Sequence, residues 1–488
     1  MKLKSLKYSL IFVALVIATA YALPTPDKND LPLASSGQQI IQQDQWIDAN
    51  NVLMFVSNVG SFSYDRTAVF GKNDGFYYPY SGIDNIINGT SNQTVCFAAG
   101  LWFGGVDSAT GDTLISASEY GSDYWPGPMS GGTFIPDADI DSLYRVYKIY
   151  SDSMSSNPNQ DYLDWPSSMG APVDNLGNPL LTGKQTLWSV YNDANSAVHL
   201  NDASSSIGLG IEVQHTVWAD KYVEISTEDF SIYSKYILIN KSSNTYNDFF
   251  ISLWFDPDIG NAGDDLAGCD TLNDIFFCYN DGSDSDYGSA PPVFGGKLIS
   301  GPPMYSFMHY FNASPVNYRW TYQYMNGLVA WQGGTPLANG TRYASPGDPV
   351  TGIGDVDNYS SDKRMMASFG PLTFAPGDTE QIIIKLGVGQ GEDPLSSITS
   401  LKEVLNFNPP SFEDTCCIGI RGDIDGNGND NSFFDLVYLI DYIFRGGPAP
   451  PCPIEADLNF DGRSATALDL VYIIDDIFRG APSPGPCY

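Results

Sequence analysis

The sequence predicts a mainly β protein, with one or two antiparallel β-sandwich units followed by a small all-α module. Short β-like runs separated by Gly, Asn, Asp, Ser and Pro clusters are typical of a sandwich. The composition agrees, because 30 Tyr, 26 Phe and 48 Gly accompany only 16% charged residues. The third observation is a duplicated helical segment at the C-terminus, with a period of 34 residues.

Length and charge limit the possible classes of protein. A chain of 488 residues exceeds what one hydrophobic core usually holds, which favours two or more folded units. The formal net charge of -34 repels nucleic acid and anionic membrane, so neither is expected as a partner.

The first 22 residues have the pattern of a signal peptide. Three lysines precede the apolar run Leu10 to Ile17, and Ala20-Tyr21-Ala22 resembles a cleavage site. We therefore expect cleavage after Ala22, no membrane span in the mature chain, and a secreted, extracellular or cell-surface bacterial protein. Residues 23–44 are polar and predict a flexible leader, or alternatively a strand that joins another protomer in self-assembly.

Residues 45–410 are predicted to form the β-sandwich body, with a possible internal boundary near 152–185. The strongest strand candidates are Val52 to Val56, Ile211 to Trp218, Phe230 to Ile239, Phe249 to Phe255 and Gln381 to Val388. The third and fourth are predicted to pair as a hairpin. A helix beginning at Pro394 and stopped by Pro409-Pro410, with Leu395, Ile398, Leu401 and Leu405 on one face, is predicted to cap the sandwich.

Seven cysteines in an exported chain make disulfides permissible. Cys269 and Cys278 are candidates to staple one loop, Cys96 is the expected unpaired residue, and the other four flank the C-terminal segment: Cys416, Cys417, Cys452 and Cys487. The three histidines, His199, His215 and His309, are too scattered for a zinc cluster. His215 alternates with apolar residues, which predicts a hydrogen-bonded histidine in the core.

The duplicated segment contains an oxygen-rich turn and a helix in each copy. Asp423-Ile-Asp425-Gly-Asn427-Gly428 recurs as Asp457-Leu-Asn459-Phe-Asp461-Gly462. Each turn precedes a helical pattern whose apolar residues form one stripe: Leu436, Leu439, Ile440, Ile443 and Phe444, then Leu470, Ile473, Ile474, Ile477 and Phe478. Two such units can bury each other's stripes.

Oxygen ligands at the first, third and fifth positions, with Gly at the sixth, suit calcium. The turns therefore predict two calcium ions held by eight residues: Asp423, Asp425, Asn427 and Asp435, then Asp457, Asn459, Asp461 and Asp469. Asp435 and Asp469 stand at the thirteenth position, where the usual loop is closed at the twelfth. The alternative interpretation is that these two aspartates are only helix N-caps.

Residues 418–488, following a linker at 411–417, resemble a type I dockerin module. The resemblance implies docking of the C-terminal helices onto a cohesin-like or other surface protein, while a calcium-stiffened module without a cohesin is the alternative. The body more loosely resembles β-rich regions of secreted bacterial surface proteins of unassigned function, through Gly370 to Ile384 and Trp188 to Ala194.

The sequence assigns no reaction to the body. It contains no G-x-S-x-G elbow, P-loop or dinucleotide fingerprint. Glu119, and the pair Asp161 and Asp164, stand beside aromatic residues as glycosidase candidates, with solvated acids near buried aromatics as the alternative. Asp256, Asp258, Asn261, Asp264 and Asp265 crowd one turn, which makes an extra calcium ion near Asp256, Asp258 and Asp264 possible.

We therefore expect a secreted, non-catalytic surface or assembly protein attached through a calcium-dependent dockerin-like module. Two alternatives remain open. One is a dockerin-borne polysaccharide-degrading enzyme of the glycoside hydrolase type, and the other is a self-assembling extracellular fibre subunit.

Overall fold

A computed structural model describes most of the body and part of the C-terminal segment. The described residues are 44–83, 86, 93–136, 143–151, 158–174, 176–221, 226–311, 315–407, 421–429, 431–458 and 465–479, all within one compact unit. The predicted signal peptide, almost all of the leader and the 411–417 linker lie outside them.

The described part is mainly β. Its strands are β1 (Asp44–Ile47), β2 (Leu53–Ser57), β3 (Ser61–Phe62), β4 (Phe76–Tyr77), β5 (Thr94–Cys96), β6 (Ala98–Asp107), β7 (Thr113–Ala117), β8 (Trp125–Pro126), β9 (Met129–Ser130), β10 (Thr133–Phe134), β11 (Tyr147–Tyr150), β12 (Gln185–Asn192), β13 (Ile211–Ala219), β14 (Ser231–Asn240), β15 (Tyr246–Asp256), β16 (Leu266–Asp270), β17 (Ile275–Tyr279), β18 (Val293–Ser300), β19 (Met304–Phe311), β20 (Leu328–Val329), β21 (Thr335–Pro336), β22 (Lys363–Phe374) and β23 (Thr379–Gly389). The described α-helices are α1 (Gln160–Leu163), α2 (Tyr318–Met325), α3 (Pro394–Asn406), α4 (Phe433–Arg445) and α5 (Ala467–Arg479).

Two large antiparallel sheets contain most of the strands. The ten-stranded sheet has the order β19-β22-β15-β6-β3-β2-β4-β5, with β1 beside β2 and β7 beside β6. The nine-stranded sheet has the order β11-β12-β13-β14-β23-β18-β17-β16, with β8 beside β12. β9 with β10, and β20 with β21, form two small separate ladders.

One continuous apolar core lies between the two large sheets. Phe255 of β15 contacts Phe276 of β17 across this interface, with ring centroids 5.2 Å apart, and Phe76 of β4 contacts Phe294 of β18 at the same distance. Edge-on and tilted aromatic contacts of this kind add to the burial of apolar area that holds the layers together. The body is therefore a β-sandwich, as the sequence predicts.

Helices and loops cover the outer faces of both sheets. On the ten-stranded sheet, Tyr324 and Met325 of α2 join an apolar cluster with Trp102 and Trp254. On the nine-stranded sheet, α3 packs through Ile398, Leu401 and Leu405 against β17 and β18. A third cluster joins Trp165, Ala171 and Leu181 to β11 and β12, which places much of the predicted boundary region on the sheet surface.

The five strongest strand candidates are confirmed as β2, β13, β14, β15 and β23. The predicted hairpin between Phe230 to Ile239 and Phe249 to Phe255 is wrong. β14 pairs with β13 and β23 in one sheet, whereas β15 pairs with β6 and β22 in the other. The connection at 241–245 therefore crosses from one layer of the sandwich to the other.

The predicted helix is confirmed as α3. Pro394 occupies its first turn, and the Asp393 side chain accepts from the Ser396 N–H at 2.9 Å while Ser396 bonds back to the Asp393 N–H at 3.0 Å. This reciprocal arrangement is a capping box, which satisfies N–H groups that the helix itself leaves unpaired.

The predicted disulfide between Cys269 and Cys278 is wrong. Both are buried free thiols, as is Cys96, so the predicted unpaired cysteine is one of three in the described body. The two side chains belong to neighbouring strands whose register pairs Cys269 with Phe276 and Cys278 with Ala267. Among the other four cysteines, Cys452 is described and buried.

The prediction for His215 is confirmed. It is buried on β13, contacts the Ser234 Oγ through Nε2 at 2.7 Å, and stacks on Tyr236 with ring centroids 4.1 Å apart. Burial lowers the pKa of His215 to about 3, which makes the ring neutral at ordinary pH.

The C-terminal helices α4 and α5 share a small apolar cluster with residues of the turns before them. Leu436, Leu439 and Ile473 are buried there. The last residue of each predicted stripe does not take part, since Phe444 and Phe478 are exposed. No helix among the described residues has the length and apolarity needed to cross a bilayer.

Candidate metal centre

Three carboxylates of the first C-terminal turn converge. Oxygen atoms of Asp423, Asp425 and Asp435 lie within 4.8 Å of one another, and Asp423 and Asp435 are buried. Like charges at this separation repel unless a cation or protons separate them. A hard divalent cation coordinated by oxygen atoms fits this arrangement of ligands.

The backbone of the turn is folded around Asp423. The N–H of Asn427 donates to Asp423 Oδ1 at 2.8 Å, and the N–H of Gly428 donates to Oδ2 at 2.7 Å. Gly426 and Gly428 have φ of 74° and 87°, a left-handed conformation that glycine adopts without a Cβ clash. The predicted ligand Asn427 therefore belongs to the same turn, beside the three carboxylates.

Asp435 links the turn to the helix that follows it. Its Oδ1 accepts from the N–H of Ile424 at 2.8 Å and of Asp425 at 3.1 Å. Its Oδ2 accepts from the N–H of Ser432 at 2.8 Å and from the Ser432 Oγ. The N-cap of α4 is Ser432, and Asp435 is the third residue of a capping box, so Asp435 caps this helix from the third helical position and not from the N-cap position.

In the second copy, Asp469 repeats the hydrogen bonds that Asp435 makes in the first. Asp469 Oδ1 accepts from the N–H of Leu458 at 2.7 Å, and Oδ2 accepts from the N–H and Oγ1 of Thr466, both at 2.7 Å. Asp457 is buried and lies 3.4 Å from Arg421 Nη1. The other two predicted ligands, Asn459 and Asp461, lie outside the described residues.

Burial raises the pKa of the Asp435 carboxyl, and the charge of Asp425 acts in the same direction. Hydrogen bonds from Ser432 and from the Asp425 N–H oppose this rise. A bound cation would favour the ionised form of each carboxylate, so protons and the metal compete for this site.

A second group of carboxylates lies in the body, but its membership differs from the sequence prediction. Oxygen atoms of Asp256, Asp258 and Asp362 lie within 4.8 Å of one another. Arg364 forms ion pairs with Asp256, at 2.6 Å, and with Asp362. A guanidinium therefore already supplies positive charge to this group.

Asp264 is not a member of that group. It accepts from Asn280 Nδ2 at 2.9 Å and lies near Asp284. The acidic cluster from Asp256 to Asp265 gave no indication of Asp362, because Asp362 stands about a hundred residues further along the chain, just before β22. Only the pairing of β22 beside β15 brings it to Asp256.

The glycosidase candidates have structural partners. Asp161 and Asp164 both bind Arg145, at 2.9 Å and 3.1 Å. Glu119 is buried, while its neighbour Tyr120 donates its hydroxyl to Asp256. An acid held by a guanidinium is ill suited to general acid catalysis, because the positive charge stabilises its ionised form.

No family model and no curated protein match this chain. Among solved structures, a protein from Escherichia coli K12 provisionally assigned as an aldose 1-epimerase is similar over 71% of this chain and 99% of its own, at 8% identity and a TM-score of 0.26. A polysaccharide lyase is similar over 75% of this chain and 34% of its own, at 7% identity and a TM-score of 0.25. TM-scores of this size carry no inference about fold family or activity.

Proposed function

We propose that this chain is an exported β-sandwich protein whose residues 418–488 fold around two calcium ions and attach the body to a surface protein or assembly. The observation that carries the proposal is the convergence of Asp423, Asp425 and Asp435 in a turn whose pattern recurs 34 residues later. A chance acidic patch has no reason to recur with the same spacing and the same following helix.

Calcium fits this donor set better than magnesium does. Each copy offers four side chains with oxygen donors, and calcium accepts six to eight oxygens in flexible geometry, whereas magnesium retains most of its water. The ligands in the first copy are Asp423, Asp425, Asn427 and Asp435. Their counterparts in the second copy are Asp457, Asn459, Asp461 and Asp469.

The exposed faces of α4 and α5 supply the partner surface. Apolar side chains remain in solvent at equivalent positions of both helices: Phe434 and Leu468, Val437 and Val471, Phe444 and Phe478. Exposed apolar patches of this kind mark protein interaction sites in soluble proteins. A cohesin-like domain is the partner that the sequence resemblance suggests.

Isothermal titration of the full chain with calcium tests the proposal. We expect two C-terminal sites, with one lost in Asp423→Ala and one lost in Asp457→Ala. Asp441→Ala is the matched control, because Asp441 is a partly exposed helix residue paired only with Arg445 in the described contacts. Unchanged stoichiometry in both loop variants, or absence of binding at millimolar calcium, would reject the proposal.

A further inference from the structure

A serine, a histidine and an aspartate converge at the edge of the ten-stranded sheet, far in sequence from the C-terminal turns. Ser345 Oγ lies 2.9 Å from His309 Nε2. His309 Nδ1 lies 3.8 Å from Asp357 Oδ2. The order along the side chains is hydroxyl, imidazole and carboxylate, which is the arrangement that activates a serine as a nucleophile.

The carboxylate of Asp357 is fixed by three donors. Oδ2 accepts from the Ala267 N–H at 3.0 Å and from Lys363 Nζ at 2.7 Å, while Oδ1 accepts from the Tyr359 N–H at 3.2 Å. These bonds hold the aspartate against β16 and the start of β22. A fixed carboxylate next to Nδ1 favours the tautomer that has its proton on Nδ1 and a lone pair on Nε2.

Ser345 has a strained backbone. Its φ is 50°, in the left-handed region that residues with a Cβ rarely occupy. Two hydrogen bonds hold the segment in place: the Ala344 N–H donates to Phe307 O at 2.8 Å, and Ser345 O accepts from the Cys269 N–H at 3.3 Å. Strain of this kind is concentrated at functional sites, where the surrounding structure enforces it.

His309 is neutral near pH 7, because burial lowers its pKa to about 4 despite the opposing charge of Asp357. Its side chain is 15% exposed, and Ser345 is 8% exposed. On the same face of β19, the exposed Phe311 contacts Tyr359 with ring centroids 5.8 Å apart. An apolar surface thus lies next to the polar group, suited to an acyl or aryl substituent.

We infer that Ser345 and His309 act as the nucleophile and general base of a carboxylic ester hydrolase, with Asp357 as a positioning residue. Ser345 Oγ attacks the ester carbonyl carbon and its proton passes to His309 Nε2. The C–O bond then breaks, and the alcohol leaves with that proton. Water, activated by His309, attacks the acyl-serine, releases the carboxylic acid and returns the proton to Ser345.

The backbone N–H of Ser345 is the donor for the oxyanion of each tetrahedral intermediate. Among the described residues this N–H donates no hydrogen bond, and the next residue, Pro346, has no N–H to offer. A single donor predicts a slow enzyme, since each missing oxyanion donor costs about 100- to 1,000-fold in rate.

Covalent labelling of the full-length protein by a fluorophosphonate, mapped by mass spectrometry, tests this inference. We expect the adduct on Ser345, with loss of p-nitrophenyl acetate hydrolysis in proportion to labelling. Labelling at other residues only, or none at millimolar probe, overturns the inference. This readout uses the unaltered chain, so it does not depend on the folding of a variant.

Three variants sharpen the test. Ser345→Ala and His309→Gln should each lower the ester hydrolysis rate at least tenfold. Ser361→Ala should leave the rate unchanged, because Ser361 is a half-buried serine of the same region whose Oγ has no hydrogen-bond partner. Equal rates in His309→Gln and the wild-type protein would contradict the inference, provided that circular dichroism shows both folded.

The role of Asp357 needs its own readout. Asp357→Asn should lower the apparent pKa of the rate of labelling, because a negative charge beside Nδ1 favours the protonated imidazole. The other charged groups that act on His309 are Lys363 and Asp355, and both are retained in this variant. A lower rate with an unchanged pH profile would reduce Asp357 to a structural residue and overturn its positioning role.

Discussion

Lys385 and Glu228 form an ion pair inside the protein, between β23 and the turn that leads into β14. Both side chains are almost fully buried. Lys385 also donates to Phe407 O at 2.8 Å, and Glu228 accepts from the Tyr233 hydroxyl at 3.3 Å. The pair thereby ties the last strand of the body to the end of α3.

Removing one partner of this pair should be strongly destabilising. Lys385→Met leaves Glu228 as an uncompensated buried charge, and we expect a loss of about 3–5 kcal/mol in the free energy of unfolding. The double variant Lys385→Met/Glu228→Gln should recover part of this loss. Lys402→Met, which breaks the more exposed pair with Asp270 at 3.0 Å, should cost about 1 kcal/mol or less. Urea unfolding measures all three.

The two roles available to Asp435 can be separated. Ser432→Ala removes the N-cap and should cost about 1 kcal/mol of stability with an unchanged number of bound calcium ions. Asp435→Asn should weaken calcium binding at the first turn at least tenfold, because a charged ligand is lost. Titration and thermal unfolding in parallel provide the comparison, and equal calcium affinities in the two variants would leave Asp435 with a capping role only.

Acid should destabilise the body through His215. Its pKa is about 3 in the folded chain and about 6.5 when unfolded, so the unfolded chain binds the proton first as the pH falls below 6.5. The free energy of unfolding then decreases by about 1.4 kcal/mol per pH unit through this group until the folded pKa is reached.

Asp123 changes the free energy of unfolding with pH in the opposite direction to His215. Burial raises the pKa of Asp123 to about 6, so its contribution to stability increases as the pH falls. The quantity to measure is therefore the difference between wild type and His215→Phe from pH 6 to pH 4.5. This difference should change steadily with pH. A constant difference would show that His215 is protonated in the folded protein over the same range.

The contact between β23 and α3 should not tolerate a side chain at Gly389. A Cβ there would lie 2.0 Å from the backbone nitrogen of Leu401, so the helix must shift. We expect Gly389→Ala to cost about 1–3 kcal/mol. Gly282→Ala is the control, since nothing lies within 4 Å of its Cβ position, and its midpoint of urea unfolding should differ little from that of the wild type.

The local pattern of apolar and polar residues was sufficient to predict several strands and one helix of the body. β13 and β23 are long runs with apolar residues on the core side, and α3 has a proline start and a clear apolar face, so each was predicted close to its observed bounds. β6 was not predicted, because glycines at 100, 104 and 105 weaken its strand pattern. Neighbouring atoms approach the backbone closely at these glycines. A Cβ at Gly100, for example, would lie 1.6 Å from Ser118 O.

Pairing between distant segments was not predictable in the same way. The repeat at the C-terminus gave the candidate ligands, because turn and helix are neighbours in sequence. Asp362 reaches Asp256, and Ser345 reaches His309, only through the arrangement of β15, β19 and β22. No local motif marks either pair, since Ser345 stands 36 positions after His309 and Asp362 stands 106 positions after Asp256.

The crossing at 241–245 has a consequence for how the body folds. β14 must find β23, and β15 must find β6, across more than a hundred residues in each case. Such non-local pairings form slowly, because the intervening chain must be ordered before any contact is gained, so the body should fold slowly. Until the two layers close, their unpaired strands would be accessible to proteases.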